Sequence, residues 1–176
     1  MSFYYLKQKR ISITNKYYIY DISEKPVFEV VGNKITGLID QISLGFFHLG
    51  HRFCVNNLNG QEEFILRKKP SVISSKYEIL INDSVVASII EGKTCFKPKI
   101  YITSDYGKFE IKGSIWAKNF TILKDGYEIG EFKKTFFDFT DSYEISIYKE
   151  EGELYKIILG IIIALHNCGY QEKPYR

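Results

Sequence analysis

Between Leu154 and Cys168 the chain reads Leu-Tyr-Lys-Ile-Ile-Leu-Gly-Ile-Ile-Ile-Ala-Leu-His-Asn-Cys, and positions 157–165 are all apolar or glycine. A helix that is apolar on every face has no side for water, so protein or lipid must enclose it. This run is too short for lipid, because a spanning helix needs about 20 apolar residues. Glu150, Glu151 and Glu153 lead into it, and carboxylates suit the positive end of a helix. Asn167 and Gly169 follow, residue types that close helices. The β-branched run would also fit a buried strand. The helix reading predicts that the rest of the chain builds a wall around this segment.

Upstream, β-rich runs alternate with turn residues. A short strand is expected over 3–9. Runs 17–21 and 27–31 flank Ser23-Glu24-Lys25-Pro26, and runs 53–55 and 63–68 flank a turn containing Asn59-Gly60. Further hairpins are expected at 77–81 with 85–90, 99–103 with 108–112, and 120–123 with 127–133, the last across Asp125-Gly126. Asn-Gly and Asp-Gly are strong hairpin signals because they tolerate positive φ. A final strand is expected over 142–148. Segment 32–50 fits either a strand or a strand and a loop. Strands at near-regular spacing suggest a sandwich or barrel, and the 27 Tyr and Phe residues (14 and 13) favour β structure.

The hairpins repeat. A shift of 66 positions carries Arg67-Lys68 onto Lys133-Lys134, and Tyr77-Glu78-Ile79 onto Tyr143-Glu144-Ile145. A looser aromatic-x-aliphatic unit recurs from Tyr17, Phe53, Tyr77 and Phe120. Duplicated strand–turn–strand units fit a closed barrel, which leaves no exposed sheet edge. Alternation then puts Phe64 and Leu66, Ala87 and Ile89, and Gly130 and Phe132 on the inner face. The small residues in that set, Ala87 and Gly130, would let the helix approach.

At 176 residues with four prolines and no low-complexity run, one domain over 1–176 is expected, without disorder. A net charge of +3 with both signs dispersed does not point to nucleic acid. Cys54, Cys95 and Cys168 are too few and too odd in number for a disulfide framework, which suits a reducing, cytoplasmic setting. The N-terminal residues lack the apolar core of a signal peptide.

Short motifs in a particular order carry a family resemblance. They are Lys7-Gln-Lys9, Tyr17-x-Ile-Tyr-Asp21, Val27-Phe28, Phe53-x-Val55 with Gly60, and Ile111-Lys-Gly113. Phe120-Thr-Ile122, Lys134-x-Phe-Phe137 and Thr140-Asp-Ser-Tyr143 complete the series. The chain resembles the LURP-one-related family, grouped with tubby-like proteins and phospholipid scramblases. The resemblance implies a mainly β, tubby-like fold: a closed antiparallel barrel of about twelve strands around a buried hydrophobic C-terminal α-helix. It also implies kinship with phosphoinositide-binding and lipid-linked proteins. Two positions depart from it, Phe136 where members commonly have Trp, and His166 where many have Asp. Scramblase activity is not carried over, because the chain shows no cysteine cluster for palmitoylation, no proline-rich N-terminal region and no acidic calcium loop.

Arg67-Lys68-Lys69 is the densest basic run. At a barrel rim it could hold phosphate through charge-assisted hydrogen bonds, with Lys97 and Lys99 nearby on the next hairpin. The competing reading is a solvated strand end protected from aggregation by lysine. His48-x-x-His51-x-x-Cys54 offers metal-ligand types, but a structural zinc needs four ligands and a strand sends i and i+3 to opposite faces. No metal is therefore expected. Asp138 and Asp141 suit a turn better than a calcium loop. The sequence carries no phosphate-cradling glycine loop, nucleophile elbow or zinc-protease motif, and nominates no catalytic residue or cofactor. The expectation is a non-enzymatic binding or scaffold module that is not transmembrane. Its partner would be an anionic membrane phospholipid or a protein. The alternative is a small-ligand carrier or enzyme using a surface groove.

Overall fold

The computed structural model describes residues 1–7, 16–32, 52–70, 75–92, 99–115, 118–135 and 142–168. The first six strands are β1 (Ser2–Lys7), β2 (Lys16–Asp21), β3 (Pro26–Gly32), β4 (Arg52–Asn57), β5 (Glu62–Lys69) and β6 (Lys76–Ile81). The next six are β7 (Ser84–Gly92), β8 (Lys99–Ser104), β9 (Phe109–Ser114), β10 (Asn119–Lys124), β11 (Tyr127–Lys134) and β12 (Ser142–Ile147). Each pairs antiparallel with its sequence neighbours, and β1 pairs with β12, so the meander closes into a barrel. A helix, α1 (Leu154–Cys168), follows. The ambiguous stretch at 32–50 lies outside the described residues beyond Gly32.

Turn chemistry builds the hairpins. Asn82 and Asp83 (φ 49° and 62°), and Asp125 and Gly126 (φ 50° and 86°), take the left-handed pair of conformations that matches strand twist in two-residue loops. Two longer turns are organised by a side chain instead. The Asp21 carboxylate accepts from the amides of Ser23 and Lys25, and the Asn57 amide oxygen accepts from those of Asn59 and Gln61.

The recurrent aromatic-x-aliphatic unit marks a structural event. In four hairpins the strand register shifts immediately after the aliphatic residue, at Ile19, Val55, Ile79 and Ile122. All four aliphatics and their aromatics Tyr17, Phe53, Tyr77 and Phe120 are buried. The 66-residue repeat also keeps register: Arg67 opposes Glu78 as Lys133 opposes Glu144, and Lys68 opposes Tyr77 as Lys134 opposes Tyr143. Bulges increase local twist, and four of them at equivalent places help curve the sheet toward closure.

The expected inner column holds. Phe64, Leu66, Ala87, Ile89 and Phe132 are buried, as is Gly130. The α1 residues Ile157, Ile158, Leu159, Ile161, Ile162, Ile163, Ala164 and Leu165 are fully enclosed. Each large aliphatic contributes about 1.5–3 kcal/mol by leaving water. Small residues set the approach: a Cβ at Gly130 would lie 3.0 Å from Ile158 Cγ2. The helix has 15 residues, which is about 22 Å at 1.5 Å per residue, against about 30 Å of bilayer hydrocarbon. Among the described residues no helix is long and apolar enough to cross a membrane. The barrel is apolar within, and its outer face carries pairs such as Lys16–Glu29, Arg67–Glu78 and Lys108–Glu110. That polarity is the reverse of what a lipid-spanning barrel needs.

Both helix ends are tied to the wall. At the first turn, Tyr155 Oη donates to Glu63 Oε2 (3.0 Å) and Lys156 Nζ pairs with the same oxygen (3.2 Å). Burial, then the Glu63 carboxylate, pushes the Tyr155 phenol well above its ordinary pKa. At the last turn, Lys118 Nζ donates to the carbonyls of Leu165 (3.2 Å) and His166 (2.6 Å). The last carbonyls of a helix lack partners within it, and a cation there also meets the negative end of the dipole.

One strand pair differs from the rest. β8 and β9 share a single register pair, Ile102 with Phe109, whereas every other neighbouring pair shares four or more. The two strands leave their turn together and then diverge.

Candidate functional site

β5 runs toward the rim at which α1 ends, and Pro70 stops it there. Alternation along β5 turns Phe64, Leu66 and Lys68 inward, and Arg67 and Lys69 outward. The expectation of three cations facing water is therefore corrected at Lys68. It is only 4% exposed, with its ammonium 5.8 Å from the centre of the Tyr77 ring. The period of two that puts Leu66 in the core takes residue 68 inward as well.

The outward cations converge on one carboxylate. Glu78 stands on β6 directly opposite Arg67, while Lys69 stands opposite Lys76. Arg67 donates to Glu78 Oε2 from Nε (3.1 Å) and Nη2 (2.7 Å). Lys69 Nζ lies 3.3 Å from that oxygen, and Lys76 Nζ lies 3.6 Å from Oε1. Opposed lysines on adjacent strands repel, and Glu78 relieves this contact. Burial by itself raises the Glu78 pKa, but the hydrogen bonds from Arg67 and then Lys69 outweigh it, and the carboxyl is held below its ordinary value. The Glu78 side chain is 9% exposed, whereas those of Arg67, Lys69 and Lys76 are each just above 40% exposed. The result is a shielded anion beneath three half-exposed cations, with positive charge left over for an external anion.

Lys99 opens β8 at the same rim and is exposed. It opposes Gly92, while Lys76 opposes Ile90 on the same strand, β7. Three strand spacings separate β5 from β8, roughly 14 Å, so Lys99 widens the basic surface but stands apart from the cluster around Glu78. Lys97 lies outside the described residues.

The duplicated hairpin shows what the fold alone requires. It keeps the register, but Lys69 and Lys76 correspond to Thr135 and Ser142. Lys133 pairs with Glu131 on its own strand (2.8 Å), and Lys134 is exposed where Lys68 is buried. The same hairpin geometry thus forms without the three-cation cluster, so barrel architecture does not explain it.

The other candidates resolve differently. His48, His51, Asp138 and Asp141 lie outside the described residues. Cys54 sits on β4, and burial pushes its thiol pKa up. No cluster of three metal-ligand side chains occurs among the described residues. His166 stands in the last turn of α1, 1% exposed and edge-on to Tyr143 (4.7 Å) and Phe132 (6.0 Å). Sequence reasoning missed Lys76 and Glu78 as partners of the basic run. The signal was present, because extending the hairpin register two places beyond Arg67–Glu78 brings Lys69 opposite Lys76.

A closed meander of twelve strands around a central apolar helix, with a basic rim at the helix C-terminus, defines a helix-filled barrel. The chain belongs to the LURP-one-related family, whose sequence pattern matches residues 3–166. It is 28% identical over 160 residues to YxjI of Bacillus subtilis (strain 168), a protein described as uncharacterised, with 90% of each chain covered. An X-ray structure of an Arabidopsis thaliana protein superposes with a TM-score of 0.60 at 12% identity, covering 97% of this chain and 91% of that one. The last comparison concerns fold.

Proposed function

We propose that this protein is a non-catalytic binding module that docks its basic rim on anionic phospholipid at the cytoplasmic face of a membrane. The barrel interior is filled by α1, so a ligand has to be met from outside. The observation that carries the reading is the excess of cations over Glu78 at a place where the duplicated hairpin folds without it. Arg67, Lys69, Lys76 and Lys99 supply phosphate-binding groups there, with Lys97 as a further member. Lys68 supports the rim from within. Each cation near an anionic surface contributes on the order of 1 kcal/mol.

Vesicle sedimentation tests this. Binding is expected to phosphatidylcholine vesicles containing phosphatidylserine or a phosphoinositide at low salt, and to fall away toward 1 M salt, where the Debye length is about 3 Å. The variant Lys69→Ala with Lys76→Ala and Lys99→Ala leaves the Arg67–Glu78 pair in place and should lose most binding while melting like the parent. A parent that ignores anionic vesicles, or a folded triple variant that binds them equally, refutes the proposal.

A further inference from the structure

The β8–β9 seam has a specific chemistry. Continued beyond Ile102–Phe109, the register would oppose Tyr101 to Glu110, Ile100 to Ile111 and Lys99 to Lys112. The last is a like-charge pair, which is unfavourable directly across a ladder. Gly113, next along β9, has φ 107° and leaves the extended conformation; its backbone lies so close to β10 that a Cβ would sit 2.6 Å from the Asn119 carbonyl oxygen. β9 therefore follows β10, with which it keeps six register pairs, while β8 follows β7, also with six.

The divergence has two consequences. Two strand edges face each other with their ladder to one another unmade beyond the first pair. Inside the gap Ile100 and Ile111, and at its closed end Ile102, remain only partly buried although they pack against the core, unlike inner-face residues elsewhere such as Ile89 and Ile122, which are fully enclosed. Outside it, Lys99 and Lys112 are exposed on its two banks, while the Tyr101 ring, 56% exposed, leans over Gly92 on the β7 side.

We propose that this seam is a docking site for an extended segment of a partner protein, apolar at alternate positions and acidic at the intervening ones. Such a strand pairs with the backbone groups that β8 and β9 leave unmatched to one another, the mode of recognition known as β-augmentation. Its period of two sends one set of side chains onto Ile100, Ile102 and Ile111, and the other toward Lys99 and Lys112. The acidic partner separates two lysines that repel when the seam is shut.

The test uses the full chain without lipid and a synthetic peptide of about seven residues alternating isoleucine and glutamate. In the free protein, amides along β8 and β9 that face the seam should exchange faster than those between β10 and β11. The peptide should slow them and shift resonances only in 99–104 and 109–114. Lys99→Glu with Lys112→Glu should weaken that peptide about tenfold and bind instead a peptide alternating isoleucine and lysine. The proposal is overturned if the peptide does not bind, if the shifts fall on other strands, or if the charge-reversed variant keeps the parent's preference. It is equally overturned if seam amides are already as protected as those of β10 and β11.

Discussion

The ammonium of Lys118 lies 2.6 Å from the carbonyl oxygen of His166, joining the β9–β10 connection to the last turn of the central helix. Lys118 is 8% exposed and holds φ at 52°, an uncommon conformation for a residue with a side chain. Hydrogen bonds from a charged donor are worth about 1.5–3 kcal/mol each in net terms, and a buried acceptor left without one loses more than the bond. Lys118→Met keeps the aliphatic stem but not the ammonium. It is expected to destabilise the protein by about 2–3 kcal/mol in urea denaturation. A midpoint equal to the parent's would show that the clasp is not stabilising.

A second prediction concerns the contact of Gly160 with Ile79. A Cβ at position 160 would lie 2.6, 2.9 and 3.3 Å from three carbons of the fully buried Ile79 side chain. Alanine favours helix over glycine by about 1 kcal/mol, but overpacking a core costs about 1–3 kcal/mol. Gly160→Ala should therefore destabilise the parent by about 1 kcal/mol and stabilise an Ile79→Ala background by a similar amount. Opposite signs in the two backgrounds, read from denaturation midpoints, constitute the expected result. The same sign in both would show that the helix can shift to admit the methyl group.

The Glu78 cluster makes acid stability testable. Its folded-state pKa lies below the ordinary 4.5 because Arg67 and Lys69 outweigh the effect of burial. A depressed carboxyl stabilises the fold fully above the unfolded-state value and loses that contribution as pH falls through the folded-state value. Unfolding free energy should thus decline below about pH 4.5, and Glu78→Gln should flatten that part of the profile while lowering stability at pH 7. Parallel profiles for parent and variant would remove Glu78 from the account.

Sequence alone determined a good deal here, for reasons of local geometry. The unbroken apolar run at 157–165 admits no solvent face, and α1 is enclosed as that demands. Period-two alternation placed Phe64, Leu66, Ala87, Ile89, Gly130 and Phe132 inside, and the shift of 66 identified two hairpins that share one register. The same alternation also turns Lys68 inward, a consequence obscured by reading 67–69 as one basic block. Tertiary structure decided what depends on residues far apart in the chain. Lys118 meets carbonyls 47 and 48 positions away, and a helix end announces its unmet acceptors without announcing which side chain will reach them. Arg67, Lys69 and Lys76 become a site only because Glu78 holds them together across the β5–β6 ladder. The divergence of β8 from β9 follows from each strand's stronger pairing on its other side, and that competition exists only once the barrel has tried to close.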